Sequence, residues 1–444
     1  MGIRKVSLIW IAFSLILIVF SSCSSREGGG TTKYIEFMNW ESSLEGIKFI
    51  KSLVKEFEKE NPGIKVKNVL VASAYSSKLL TRFAGGSPPD IFEIQAEMIY
   101  PFLKKGLLLD LSPYIKKSSK LNEKDFFPIS LINFRYDGES FRKGALYGFP
   151  KDLSTAALIY NKGLFNKEGL SYPDSTWTEK EYLEAAKKLT KRDSSGRIIQ
   201  IGIDRSIDPL FILLDKGGKI WSSDYKKCLL DSKAARAAYQ FVYDLQEVDK
   251  VALTRREMGE GLVKSVGFRS GKAGMSMVYR YQLPDLTKYI SDRFAWDIAP
   301  LPSFNGKNIQ LLQGPSGWAI SQKTKYPEAS FKFLEFLIGE KRQIANAKLG
   351  WNVPANKKIA YSDYFLKDLK RKDPEKINQI FLQAIDNLNS SLLNPYISIT
   401  RLGTILSNTL DTGIIKKYQG KVRIPLKNAV KRINELIEEN IRNE

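Results

Sequence analysis

The side chains in this 444-residue chain that could do chemistry are mainly carboxylates, amides and aromatic rings, because the sequence contains no histidine. Without histidine, Ser-His-Asp and Cys-His nucleophile systems are excluded, and so are nearly all zinc and iron sites. Acidic residues are plentiful, yet no pair of them stands in a recognisable catalytic setting. We therefore predict no catalytic residue, no metal site and no cofactor. The function that these side chains still support is noncovalent binding of a ligand by polar and aromatic groups.

Two candidate binding side chains fall where predicted β-strands end. The stretch "KYIEFMNW" predicts a first strand that ends near Trp40, and a short apolar strand further on ends at Gln95. A helix and a second strand follow the first strand, which is typical of an α/β unit with parallel pairing. Ligands of such sheets gather outside the carboxyl ends of the strands. We therefore expect Trp40 and Gln95 at a binding edge.

Local signals mark the limits of two helices. The helix after the first strand is predicted to stop at Asn61, where a proline and a glycine follow. Another helix is predicted to begin at Thr178, because Glu181 stands three residues on and completes a capping box.

The stretch "ALYGFPKDLSTAALIYNKGLF", residues 145–165, contains two apolar runs with a break between them. Gly148, Pro150, Lys151 and Asp152 form the break. One interpretation is that the chain crosses here between two lobes, with Asp152 facing a cleft. The other is an ordinary strand end with a tight turn, where both charges meet solvent. The residues alone leave both open.

The first residues predict export. Arg4 and Lys5 precede an apolar run too short for a membrane-spanning stop-transfer helix, and "SSC" ends that run at Cys23. This pattern predicts a signal peptide over residues 1–22 and resembles a bacterial lipoprotein signal with Cys23 as the lipid-modified residue. An ordinary secretory signal with an incidental cysteine is the alternative. Residues 23–32 are polar and glycine-rich, which predicts a flexible tether.

Length, charge and cysteine content further limit the architectures and partners that the sequence allows. The chain is longer than one core usually supports, so two lobes are expected. The net charge is +21, but lysines share strings with acids, as in "KSLVKEFEKE", which favours solvated helix faces over a nucleic-acid surface. An anionic membrane surface and an anionic ligand remain alternative binding partners. Cys228 is expected to be a buried, unpaired thiol.

Seven stretches occur in an order that resembles a known family. They are "AGGSPPDIFE", "LYGFPKDLSTAALIYNKGLFNKEGL", "TWTEKEYLEAAKKLT", "GKAGMSMVYRYQLPDL", "WDIAPLPSFNGK", "GPSGWAISQKTKYPEASFKFLEFL" and "GWNVPANK". Together they resemble the extracellular solute-binding proteins of family 1, the carbohydrate-type receptors of ABC importers, with maltose-binding protein as a distant relative. The resemblance covers Lys33 to Lys358 and extends more loosely over the helical tail.

This resemblance implies a two-lobed α/β fold of the periplasmic-binding-protein-like class II. Each lobe would be a mainly parallel sheet flanked by helices, with a ligand cleft between the lobes that closes by hinge bending. The family position favours the crossing interpretation of Gly148 to Asp152. The implied limits are 1–22 signal peptide, 23–32 tether, 33–147 and 313–361 first lobe, and 148–312 and 362–444 second lobe.

A sugar presents hydroxyls and apolar ring faces, so its receptor needs aromatic platforms and a few polar anchors. The platforms that we predict are Trp40, Tyr281 and Trp351, of which Tyr281 occupies the position of an aromatic ligand contact in the resembling family. Trp40 could equally be a core residue that caps the next helix.

The predicted polar anchors are Ser43, Gln95, Asp152 and Arg280, together with the backbone at Gly314. Arg280 could bind hydroxyls or an anionic group. A helix cap is favoured for Ser43, and a tight turn would also explain Gly314.

The resemblance implies a non-enzymatic, lipid-anchored receptor that delivers a sugar, oligosaccharide or polyol to ABC permease subunits driven by a cytoplasmic ATPase. The expected location is extracytoplasmic, at the cell membrane or in the periplasm, without nucleic acid as a partner. A binder of glycerol-3-phosphate or a glycerophosphodiester is one alternative. A secreted carbohydrate-active hydrolase is another, and an adhesin or sensor subunit is a third.

Overall fold

The computed structural model describes residues 31–305, 310–311, 316–348, 350, 352–367, 374–390 and 392–443. Its strands are β1 Lys33–Asn39, β2 Ile64–Leu70, β3 Ile91–Gln95, β4 Arg135–Tyr136, β5 Ala145–Leu146, β6 Phe149–Pro150, β7 Asp152–Leu153, β8 Ala156–Asn161, β9 Lys191–Arg192, β10 Ile198–Ile203, β11 Ala273–Tyr279, β12 Trp296–Ala299, β13 Gln310–Leu311, β14 Ser316–Ile320, β15 Val353–Pro354 and β16 Leu388–Asn389.

The α-helices flank these strands along the whole described chain. They are α1 Leu44–Glu60, α2 Tyr75–Ala84, α3 Ala96–Lys104, α4 Ser112–Lys117, α5 Pro128–Leu131, α6 Lys162–Lys167, α7 Glu179–Leu189, α8 Pro209–Asp215, α9 Lys233–Tyr243, α10 Arg255–Gly259, α11 Leu262–Val266, α12 Leu283–Ile290, α13 Pro327–Ile338, α14 Glu340–Ala347, α15 Lys357–Ala360, α16 Asp363–Leu366, α17 Pro374–Gln383, α18 Ile399–Thr409, α19 Thr412–Lys417 and α20 Arg423–Arg442.

The first lobe is built on a five-stranded sheet with the order β2-β1-β3-β14-β6. Its core is rich in aromatic rings: Phe37 of β1 packs edge-on against Trp318 and Phe333, each at 5.2 Å between ring centroids. Phe57 of α1 contacts the same Phe333 ring at 4.8 Å. Helices α1 and α13 are therefore fixed on the sheet by a shared aromatic cluster.

The second lobe has its own five-stranded sheet, in the order β12-β8-β11-β10-β9. Every residue of β8 and β11 is buried, without the alternation of a half-exposed strand. Helices explain this pattern because they cover both faces. Met275 packs with Tyr182 of α7 on one face, and Val278 packs with Phe381 of α17 on the other.

Two separate sheets with separate cores agree with the predicted two-lobed α/β architecture, but strand direction is more mixed than expected. In the first sheet β1 is parallel to β2 and β3, whereas β14 is antiparallel to both of its neighbours. In the second sheet β10 and β11 are parallel, whereas β8 is antiparallel to both neighbours and β9 is antiparallel to β10. The strands β8 and β14 run against their neighbours because each follows chain from the other lobe.

The chain crosses between the lobes within the interrupted stretch that the sequence analysis singled out. Pro150 ends β6 in the first sheet and Ala156 begins β8 in the second, so the crossing interpretation describes this segment. A side chain at Gly148 would lie 2.5 Å from the Phe134 ring, so glycine permits close packing before the crossing. The crossing strand β7 pairs with β15.

The exact limits predicted for the lobes stay predictions. Val353 of β15 and Phe365 of α16 pack in the same cluster as Ile159 and Val278 of the second sheet. The segment that follows β14, after the chain has returned to the first lobe, therefore also packs against the second lobe.

Two smaller predictions can be compared with the structure directly. Helix α1 ends at Glu60 with Asn61 as its cap residue, and Thr178 with Glu181 forms the capping box of α7, as the sequence indicated. Cys228 is buried and unpaired in the described chain, and burial raises the pKa of its thiol to about 12. Over the described residues, no helix combines the length and apolar character needed to cross a bilayer.

Gly202 supports a direct test of the packing in the second lobe. A Cβ atom there would lie 2.3 Å from the carbonyl oxygen of Ala186 in α7, a backbone atom that cannot swing away. We expect Gly202→Ala to lower the free energy of unfolding by about 1–3 kcal/mol, the usual cost of overpacking. Urea denaturation followed by circular dichroism measures this loss.

Gly63→Ala is the matched control, because nothing lies within 4 Å of a Cβ atom at Gly63. It should leave the urea midpoint unchanged. Equal midpoints for the Gly202 and Gly63 variants would contradict the close contact between β10 and α7.

Candidate functional site

Trp40 stands directly after β1, at the carboxyl end of the first sheet. Its indole ring is half-buried and packs edge-on against Tyr75, the first residue of α2, at 5.1 Å between centroids. The Tyr75 hydroxyl lies 2.6 Å from the carbonyl oxygen of Glu93 in β3. Trp40 is thus held by the neighbouring strand and helix, and part of its surface stays accessible to a ligand.

A buried ion network lies beneath Trp40. The Lys151 ammonium pairs with the Glu93 carboxylate and lies 4.0 Å from an Asp152 oxygen. The same ammonium is 5.6 Å from the Trp40 ring and 5.5 Å from the Trp318 ring. One cation on the crossing segment therefore contacts two acids and two aromatic faces.

Burial and charge act against each other in this network. Burial raises the pKa of Glu93, and the Lys151 ammonium counters part of that rise. Burial alone would lower the pKa of Lys151, but the carboxylates of Glu93 and Asp152 outweigh it, so the pKa is raised. The ammonium is therefore charged at neutral pH and balances the acids around it.

Asp152 connects the crossing segment to the first sheet. It is 4% exposed, and its Oδ1 accepts a hydrogen bond of 3.1 Å from the Ser316 hydroxyl at the start of β14. Burial raises the pKa of Asp152, and Lys151, Ser316 and Asn352 oppose that rise. Ser316 also pairs with Gln95 at the end of β3. Gln95 and Asp152 therefore both neighbour Ser316, the first residue of β14.

The second lobe presents Tyr281 just after β11 ends. Its side chain is 48% exposed and stacks on Tyr279, with ring centroids 5.8 Å apart and planes within 9°. A flat, accessible aromatic face fits the predicted role of a platform.

Arg280, the residue before it, points into the protein. It is completely buried; its Nε donates to the Asn378 side chain at 2.8 Å, and a terminal nitrogen donates to the Gly350 carbonyl. Its guanidinium also lies 5.3 Å from the Phe365 ring. These contacts tie β11 to α16 and α17, and ligand contact by Arg280 stays a prediction.

Ser43 occupies the N-cap of α1. Its hydroxyl oxygen accepts from the Gly46 backbone N–H at 3.0 Å, and the hydroxyl donates to Glu41 at 2.8 Å. The structure thus gives Ser43 the capping function that the sequence favoured, and its ligand contact stays untested. Gly314, Trp351 and Cys23 lie outside the described residues.

Sequence reasoning missed Glu93, Lys151 and Trp318 as a group. Glu93 is the single acid inside the buried strand "IFEIQ", and a buried acid requires a partner. The buried acid in this strand predicts a cation nearby. The sequence does not identify that cation, because Lys151 reaches Glu93 only through the crossing of the chain between the lobes.

The lobes also meet away from the crossing. Arg142, in the loop between β4 and β5, donates to the Tyr225 hydroxyl and to the Ser390 carbonyl. On the same side, Tyr396 lies 6.3 Å from the Tyr100 ring of α3. The two bodies are therefore held together by hydrogen bonds and ring contacts as well as by the connecting chain.

The described residues contain no group of acids and cysteines that could hold a metal ion. Two α/β lobes, joined by crossing segments and carrying aromatic and polar side chains at strand ends, define a two-lobed ligand-binding protein. The family model for bacterial extracellular solute-binding proteins matches residues 41–344. The chain belongs to this family. It is therefore a solute-binding protein and not an enzyme, as the sequence predicted.

Two relatives resemble most of the chain. An arabinooligosaccharide-binding protein of Bacillus subtilis is 24% identical over 440 residues, which covers 88% of this chain and 94% of the relative. An uncharacterized lipoprotein of Streptomyces antibioticus is 22% identical over 357 residues, 78% of this chain and 76% of that protein. Both similarities extend beyond any single motif.

Solved structures establish the same architecture. An ABC substrate-binding protein from Listeria monocytogenes, in complex with cycloalternan, superposes with a TM-score of 0.75 at 24% identity. The match covers 92% of this chain and 99% of that chain. This likeness confirms the two-lobed fold.

The ion network at the crossing gives a second test of the structure. Lys151→Met would leave two buried acids without their cation, so we expect the free energy of unfolding to fall by about 3–5 kcal/mol. Adding Glu93→Gln should recover part of that loss, because the uncompensated charge is removed. Urea denaturation of both variants measures the two changes.

Lys67→Met is the control, because Lys67 is 74% exposed and its partner Glu36 keeps Arg82. That change should cost less than about 1 kcal/mol. A Lys151 variant as stable as the Lys67 variant would contradict a buried ion pair at the crossing.

Proposed function

We propose that this protein is a receptor that binds a sugar, and in particular an oligosaccharide, between its two lobes. The observation that carries the proposal is the placement of two accessible aromatic faces, Trp40 and Tyr281, at strand ends of different sheets. Sugar rings stack on such faces through their apolar C–H surfaces, while polar neighbours bind the hydroxyls. The names of the Bacillus and Listeria relatives agree with this ligand class.

In this proposal, Gln95 is the polar anchor nearest the crossing and Tyr281 is the aromatic platform of the second lobe. Ligand contact by the buried side chains of Asp152 and Arg280 stays a prediction. A ligand that contacts both lobes binds the closed arrangement better than an open one. Closure then follows from differential affinity.

The proposal includes delivery of the solute to an ABC permease and a lipid anchor at Cys23. The cysteine after the apolar run and the polar stretch behind it support an anchor with a flexible tether. The similarity to a lipoprotein of Streptomyces antibioticus supports it too. The receptor would then act outside the cytoplasm, attached to the cell membrane.

Ligand class is tested by thermal shift with neutral mono-, di- and oligosaccharides, with glycerol-3-phosphate as the non-sugar comparison. We expect an oligosaccharide to raise the melting temperature by several degrees and to be recovered chemically intact. Small-angle X-ray scattering of the same sample should give a smaller radius of gyration with ligand than without it. Hydrolysis of the sugar, or stabilisation by the phosphate compound alone, would refute the proposal.

The two platforms are tested by substitution. Tyr281→Ala and Trp40→Ala should each weaken oligosaccharide binding about tenfold, equivalent to about 1.4 kcal/mol, because each removes a stacking face. Isothermal titration calorimetry measures the loss. Tyr34→Ala is the control, since Tyr34 is 69% exposed at the opposite, amino-terminal end of β1. Unchanged affinity in both platform variants would contradict this site.

A further inference from the structure

The second lobe contains an open pocket of about 740 Å³ where β10 and β11 end. Ser276, Met277 and Val278 of β11 contribute to its lining, and Phe268 and Leu286 add apolar surface from the flanking helical segments. Its volume lies within the range of about 300–1,000 Å³ that is usual for small-molecule sites. The pocket is large enough for a sugar unit with a substituent.

The charged side chains of this pocket are unbalanced. Arg205, Lys264 and Arg269 all line it, and among the described residues none of the three has a carboxylate within ion-pair distance. The single acid in the lining is Asp204, which is 7% exposed. The pocket therefore presents an excess of positive charge to whatever enters it.

Asp204 offsets only part of this positive charge: it interacts electrostatically with Arg205, as does Asp208 outside the lining, but three cations face a single acid in the pocket. One carboxylate oxygen of Asp204 accepts from the Phe268 backbone N–H at 2.7 Å, and the other is buried without a hydrogen-bond partner. Burial raises the pKa of Asp204, opposed by Ser276, backbone N–H groups and Arg205. The cations at the mouth are exposed, so their charge is directed toward solvent and ligand.

Arg205 connects the lining of this pocket with the aromatic platform. The Arg205 guanidinium lies 6.0 Å from the Tyr279 ring, and Tyr279 stacks on Tyr281. A sugar ring on the free face of Tyr281 would therefore have Arg205 within the reach of its neighbouring unit. Arginine binds a carboxylate through two parallel N–H···O bonds, a geometry that neutral hydroxyls do not match.

We propose that the ligand is an acidic oligosaccharide, with a uronic acid carboxylate bound by Arg205 and Lys264 at the mouth of this pocket. This inference rests on the proposed function, because it specifies the class of sugar. Arg269 also lines the pocket, where its guanidinium lies 5.3 Å from the Tyr289 ring, and it adds to the positive field.

The test compares each acidic sugar with its own neutral form. Trimers of galacturonate, glucuronate, mannuronate and guluronate are titrated into the purified protein by calorimetry at low salt, each beside its methyl ester. Esterification keeps the rings and linkages and removes only the charge. We expect at least one acidic trimer to bind at least tenfold more tightly than its ester, and the difference to shrink as salt is added.

Two variants locate the effect. The double variant Arg205→Gln with Lys264→Gln should reduce the affinity for the acidic trimer to that of its ester. Lys431→Gln removes a charge from an exposed position on α20 and should leave both affinities unchanged. Equal losses in both proteins would mean that total charge, and not this pocket, attracts the sugar, which would overturn the assignment.

The outcomes separate this inference from the proposed function. If a neutral oligosaccharide binds and every acidic trimer binds no better than its ester, the receptor function stands and the acidic specificity is wrong. If neither neutral nor acidic sugars bind, the proposed function itself is wrong, and this inference falls with it.

Discussion

The constraint on which the rest of the structure depends is the enclosure of the Lys151 ammonium, whose side chain is only 16% exposed, at the point where the chain leaves the first lobe. A buried ammonium has to be compensated, and here Glu93 and Asp152 provide the charge while two indole rings face it. These contacts join β3, the crossing segment and the start of β14 in one cluster. The chain that connects the two lobes therefore has a defined course where it leaves the first sheet.

The same arrangement joins the ends of the strands to the connecting segments. Gln95, Asp152 and Ser316 lie on three different segments, yet each contacts or pairs with a neighbour at the same edge of the first sheet. On the second lobe, the consecutive residues Arg280 and Tyr281 point in opposite directions. The Arg280 side chain is enclosed and fastens β11 to the C-terminal helices, while Tyr281 turns outward. A rigid interior contact thus stands next to an accessible surface.

Much of the fold could be predicted because its signals are local. The cap of α7 at Thr178, the end of α1 at Asn61 and the burial of Cys228 each depend on a few neighbouring residues. The direction of the strands was harder to predict from the sequence, because β8 and β14 each follow a segment that comes from the other lobe. The partner of Glu93 was out of reach for the same reason: Lys151 is distant in sequence, and only the crossing brings the two together. The sequence alone could not show that the Tyr281 ring is exposed while the guanidinium of its neighbour Arg280 is buried.

The indole of Trp40 has a further consequence. It is half-buried, with a fixed positive charge 5.6 Å from its ring, and it stands where the two lobes connect. The emission energy of tryptophan depends on the electric field and the water around the ring. If a sugar binds at Trp40 as proposed, it would displace water from this ring, and the tryptophan emission would report binding without an attached dye.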